Sequence, residues 1–400
     1  MKVGTFFLPW RWLCALGTLL SLLLASLPWA LWPSAGAGDS APKFASLAVS
    51  PLRAMFSAVP PQPSVPTASG SAIPPGLNAE RSDADEQMQL CGGAWVKVGS
   101  DGTLDQADLE RAARLPEMRQ RILAALRADA SDAARAVSLW VAMLSAGEDA
   151  RVWRDALVQR AVSGNDPTTY ALAFNSCGRD QRTEGFCAML SAAQWARLDP
   201  ENTGPWLAML ADAEQRKDRA AENEALHRLA TAHRSELGTF TLPGLVVNAA
   251  PDDDVAVLAA WAVATEMIGA AAAWGMPGYQ HVMAACKGTA LRDANRRQTC
   301  AGIAEVFSEH SDTVLERMFG AHIGEQAGWP TWRSERLRAE YAAYTASLIA
   351  ANGSGEGQPG IGCAALRRDL DGLRRRARLG EPGVVREWVA QSGTRPVSPP

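Results

Sequence analysis

From Glu117 onward, apolar side chains recur every three or four residues in short runs. Ile122, Leu123 and Leu126 mark one stripe, and Val137, Trp140, Val141 and Leu144 mark the next. This spacing follows the helical turn and predicts amphipathic helices over Gln106–Leu115, Glu117–Asp129, Asp132–Leu144 and Ala150–Val162. The breaks at Pro116, Ser131-Asp132, Ser145-Ala146-Gly147 and Gly164-Asn165-Asp166-Pro167 each supply a helix stop or an N-cap. Further helices read near Tyr279–Cys286, Leu291–Phe307, Thr313–Gly324, Trp332–Ala351, Cys363–Leu379 and Val384–Gln391. Only GGAWVKVGSDGTLD, 92–105, reads as a short strand or turn. The expected fold class is therefore all-α. Val255–Trp274 is apolar enough to raise a second membrane span, but Glu266 near its centre and its alanine content point to a buried core helix.

A longer period overlies the helical one. Small-hydrophobic pairs fall at Ala125-Leu126, Ala156-Leu157, Met189-Leu190 and Ala225-Leu226, at intervals of 31, 33 and 36 residues, and Asp-Pro recurs 33 residues apart at Asp166-Pro167 and Asp199-Pro200. A period in the low thirties filled by two helices predicts stacked helix hairpins, because one hairpin cannot bury its apolar face alone. Within 195–229, the stretch Leu198-Asp199-Pro200-Glu201-Asn202, then Trp206, then Asp218 and Leu226, resembles the tetratricopeptide repeat. The likeness covers about one unit well and the preceding ones faintly. It departs from the family pattern at Lys217, where a glycine usually turns the chain, and at Glu222 and Leu229, where alanine usually packs. The resemblance implies a helix-hairpin array with a peptide- or protein-binding surface, followed by a helical C-terminal block.

The N-terminal side changes character twice. Lys2 and Arg11 precede an uncharged apolar run from Trp12 to Trp32, an arrangement that favours export of the rest of the chain. Trp10 and Trp12 at one end, with Trp29 and Trp32 at the other, suit a membrane anchor. Ala35-Gly36-Ala37 suits a signal-peptidase site, so the run reads as transmembrane anchor or signal peptide. Prolines at 42, 51, 60, 61, 63, 66, 74 and 75 then mark an extended tether. The expected organisation is a cytoplasmic tip at 1–11, the apolar segment at 12–32 and the tether at 33–87. A helical-repeat-like region at 88–238 and a linker at 239–254 come next. A helical bundle at 255–351, a Gly-rich loop at 352–362, amphipathic helices at 363–391 and a tail at 392–400 complete it.

Beyond Cys14 there are six cysteines, an even number suited to an oxidising compartment. Nearest-neighbour pairing gives Cys177–Cys187 and Cys286–Cys300, leaving Cys91 with Cys363. No spacing is C-x-x-C and the histidines do not cluster with the cysteines, so no metal site is expected.

No familiar catalytic motif is present. There is no H-E-x-x-H, G-x-S-x-G or S-x-x-K, and the Gly-rich run lacks the lysine of a phosphate loop. Neither catalytic residues nor a cofactor are expected. His281, His310 and His322 are what an enzyme reading of 255–351 would need to bring together with a carboxylate. The net charge of −4 offers no reason to expect nucleic acid. Arg367, Arg368, Arg374, Arg375, Arg376 and Arg378 lie opposite Leu366, Leu370 and Leu373 on an amphipathic helix, a candidate surface for an anionic lipid or acidic partner. With Trp195 and Trp206, the arginines at 374–376 form the candidate binding surface. The leading expectation is a non-catalytic interaction scaffold of the bacterial cell envelope, held to the inner membrane or released to the periplasm. A periplasmic enzyme and an oligomerisation module are the alternatives.

Overall fold

In the computed structural model, residues 86–89, 91–92, 95–98, 114–178, 184–272, 276–353 and 362–392 are described. Outside them lie the expected tip, apolar segment and all but the end of the tether, most of the expected helix Gln106–Leu115, Trp274, most of the Gly-rich loop and the tail. The described chain is all-α apart from one short antiparallel hairpin, β1 (Glu86–Gln89) with β2 (Trp95–Val98), registered from Glu86 opposite Val98 to Gln89 opposite Trp95. Gly92, in the connection between these strands, has a φ of 96°, a conformation that suits glycine.

The helices run α1 (Leu115–Ala128), α2 (Asp132–Ser145), α3 (Ala150–Ser163), α4 (Pro167–Ser176), α5 (Ala192–Leu198), α6 (Thr203–Gln215) and α7 (Arg219–Ala230). They continue with α8 (Thr241–Ala249), α9 (Asp254–Ala272), α10 (Met276–Ala285), α11 (Ala294–Glu309), α12 (Val314–Ala327), α13 (Thr331–Gly353) and α14 (Cys363–Ser392). A 3₁₀ turn at Gly185–Met189 lies against α3. Polar residues before the helices act as caps: Ser131 accepts from the Ala134 amide at 3.1 Å, Asp166 from Thr169 at 2.8 Å and Asp218 from Ala221 at 3.1 Å. Each such cap contributes about 1 kcal/mol. The two Asp-Pro pairs do different work. Asp166 caps α4 with Pro167 in its first turn, whereas Asp199-Pro200 closes α5. The third small-hydrophobic pair also departs from the period, since Met189 ends the 3₁₀ turn rather than sitting in a second helix.

Adjacent helices pack in pairs, α2 on α3 and α6 on α7 among them, an arrangement compatible with a helical-repeat fold. The apolar stripes then meet in two main cores. One gathers α1 to α4 with α8, α9 and the first half of α14, through residues such as Ile122, Trp140, Leu157, Tyr170, Val246, Val263 and Leu370. The other gathers α6, α7, α10, α11 and α12 through Leu210, Leu226, Val282, Ile303, Phe307 and Ile323. The chain passes from the first core to the second and back twice. The stretch 239–254, expected as a linker, forms α8, which packs on α9 and α14.

Helix α9 is long and apolar enough to cross a membrane by length and composition. Its Ala256, Leu258, Ala260, Val263, Ala264 and Met267 are buried in the first core, and Glu266 meets Arg119 of α1 at 2.9 Å. This is the packing of a core helix. The cysteines fall into the three expected pairs, Cys91–Cys363, Cys177–Cys187 and Cys286–Cys300. The first ties the β1–β2 connection to the start of α14, and the second closes onto the 3₁₀ turn.

Candidate functional site

Three connecting segments run side by side where the second core meets α14. The Thr203 amide donates to the Arg234 carbonyl at 3.1 Å, and the His233 amide to the Glu201 carbonyl at 3.0 Å. Next to them, the Ser235 amide donates to the His310 carbonyl at 2.9 Å and the Asp312 amide to the Ser235 carbonyl at 3.0 Å. The Glu381 amide continues the ladder, donating to the Asp312 carbonyl at 2.9 Å. Gly380, with φ of 67°, makes the kink in α14 that brings Glu381 here, and the Glu381 carboxylate accepts from the Val314 amide at the start of α12 at 2.8 Å.

Buried side chains fill this seam. Glu316 accepts at Oε1 from the Tyr279 hydroxyl at 2.8 Å and from the Ser235 hydroxyl. Because Ser235 spends its proton on Glu316, Thr203 donates to Ser235, giving a relay from Thr203 through Ser235 to Glu316. Oε2 of Glu316 is buried without a hydrogen-bond partner, and the Asp312 carboxylate is buried beside the Leu237 amide. Burial pushes Glu316 up to about 8 and Asp312 up to about 7; the nearby Glu236 and Glu381 carboxylates raise Asp312 further, and the Leu237 amide offsets part of this. Burial also raises Glu381 and, with Glu316 beside it, Tyr279. Asn202 braces the outer edge, donating to Asp199 at 2.9 Å and to the Glu236 carbonyl at 3.0 Å, while Arg234 pairs with Asp199 and Glu236.

A second feature lies on the surface. Among the described residues, the exposed large apolar side chains are Val152 (66%), Val162 (40%), Phe186 (38%) and Met189 (55%). All four belong to two elements in contact, α3 and the 3₁₀ turn held by Cys177–Cys187. Arg151 stands beside Val152 with its side chain exposed and reaches Asp155 at 3.7 Å.

The residues singled out from sequence are dispersed. Trp195 is buried, stacking near Phe174 with ring centroids 5.3 Å apart. Trp206 is half-buried, donates to the Pro200 carbonyl at 2.8 Å and lies under Arg228. Arg374 bonds Asp371 at 2.7 Å and the Val247 carbonyl at 3.3 Å, Arg375 pairs with Glu387, and Arg376 turns toward the Tyr344 hydroxyl at 3.1 Å. Arg374 and Arg375 stay nearly half-exposed beside these partners. His281, His310 and His322 sit on α10, at the end of α11 and on α12; His310 is exposed, and Glu325 and Arg338 are charged neighbours of His322. Carboxylates and hydroxyls converge in this half of the chain instead. Only the Asp312-x-x-x-Glu316 spacing hinted at that convergence, since Ser235 and Tyr279 arrive from distant segments. Comparison with protein-family models, curated proteins and solved structures found no match to this chain.

Proposed function

We propose that this chain is a non-catalytic helical scaffold of the bacterial cell envelope that binds a protein or peptide partner on the outer face of α3 and the Gly185–Met189 turn. The observation that carries this reading is the gathering of the exposed large apolar side chains onto those two contacting elements. Surface hydrophobics scattered over a fold need no explanation, but their gathering on two contacting elements favours a contact surface. Two features support it. The packed hairpin of α6 and α7 is compatible with the helix-hairpin repeat it resembles in sequence, with the second helix burying Ala225, Leu226 and Leu229. The paired cysteines suit an oxidising compartment, and residues 12–32 would then serve as the inner-membrane anchor or as a cleaved leader.

Affinity capture from envelope extract tests this when two forms of the full chain are compared, wild type and Val152→Asp with Met189→Asp. Both substitutions fall on exposed positions, so unfolding should be unchanged within about 0.5 kcal/mol. A stoichiometric partner retained by the wild type and lost from the variant is the expected result. A partner retained equally by both would move the interaction elsewhere and end this assignment.

A further inference from the structure

We infer that the buried seam around Asp312 and Glu316 is a proton-dependent latch that docks the C-terminal half of α14, residues 381–392, onto the start of α12. Glu381 makes the two hydrogen bonds described above, to Val314 and Asp312, and an apolar group of Val314, Tyr344 and Val385, with Tyr341, Val384 and Val389 packed against it, backs them.

The charge inventory makes the latch sensitive to protons. From the 232–237 segment, Glu236 faces Asp312; from α14, Glu381 does so too. From α10, Tyr279 faces Glu316, and from the segment just before α12 Asp312 does so too. The cations nearby are committed. Arg234 is shared by Asp199 and Glu236, and Arg376 bonds Tyr344 while lying near Glu381. Arg317 donates to the Ser308 carbonyl at 2.7 Å, with Glu309, Glu340, Arg336 and Arg386 as its charged neighbours. No cation is therefore left to balance Asp312 and Glu316 among the described residues, and a proton is the counter-charge their geometry accommodates. The unpartnered Oε2 of Glu316 is where it resides, because Oε1 already accepts two hydroxyls.

Linkage sets the direction. Both carboxyls have folded values, about 7 and about 8, above those of the unfolded chain, so the folded state binds more protons. Their stabilising protonation is complete below the ordinary carboxylate range and is lost as pH rises through about 7 to 8. Ionised, Asp312 and Glu316 become neighbouring buried like charges, with the Glu236 and Glu381 carboxylates near Asp312. Undocking 381–392 admits water and relieves their repulsion.

Hydrogen–deuterium exchange of the full chain in detergent, corrected for the intrinsic rate at each pH, reads this directly. Between pH 5.5 and 8.5, peptides covering 312–316 and 381–392 should lose protection by about tenfold or more, since each linked proton is worth up to tenfold per pH unit. Peptides from α7 should not change. Asp312→Asn with Glu316→Gln should abolish the response. Should that pair fold poorly, Glu316→Gln alone, which keeps the acceptor for Ser235 and Tyr279, should diminish it. Flat exchange in the wild type, or an undiminished response in either variant, would overturn the latch.

Discussion

Lys217 sits between α6 and α7 with a φ of 55°, the left-handed conformation that favours glycine. It stands where the tetratricopeptide pattern places its turning glycine, so the departure in sequence leaves the backbone geometry in place and loads it with strain. For a residue with a Cβ this conformation costs about 1–2 kcal/mol, and glycine returns part of that as unfolded-state entropy. Lys217→Gly should raise stability by about 0.5–1 kcal/mol, measured as a higher urea midpoint with unchanged slope. A lowered midpoint would show that the Lys217 side chain contributes more than its backbone costs. At this scale the caps were the most legible feature, because an Asp or Ser at a helix start acts through atoms three residues away. The Glu316 group was not, since its partners Ser235 and Tyr279 are 81 and 37 residues distant.

Individual helices owe their limits to such local signals, and α2, α3 and α11 to α14 lie close to where the periodicity puts them. Helix α8 did not announce itself. Its Pro243-Gly244 reads as a break, yet Pro243 falls in its first turn, where no hydrogen bond is lost, and Gly244 lets Ala377 of α14 approach. The 3₁₀ turn at Gly185–Met189 is likewise invisible to helical periodicity; its position comes from the short loop closed by Cys177 and Cys187. Replacing both cysteines with serine should cost about 3 kcal/mol in the chain-entropy model. It should also release Phe186 and Met189 from α3 and weaken partner capture, while the α6–α7 hairpin keeps its exchange protection. Full stability in the double variant would mean that packing alone holds the turn.

Over the whole molecule, the two main cores are interleaved rather than sequential. A division at 239–254 follows the composition of the chain, but burial joins α8 and α9 to helices α1 to α4, and α6 and α7 to α10 through α12. Stripe periodicity says that a helix has an apolar face and not which helix will cover it, so this partition could not be read from spacing. Surface exposure is subject to the same limit. Trp195 and the arginines at 374–376 stand out in sequence, yet they are respectively buried and engaged by neighbouring groups, whereas Val152 and Met189 are inconspicuous in sequence and exposed in the fold.

A partner seated on α3 and the adjoining turn would lie within reach of side chains 152 and 189. Site-specific photo-crosslinking of the full chain in native membranes tests this contact, with a photoreactive side chain placed singly at Val152, Met189, Lys217 or Arg368. The expected result is an adduct of one defined mass from positions 152 and 189 alone. Adducts from 217 or 368 without any from 152 and 189, or no adduct from any position in a folded chain, would contradict a partner on that face.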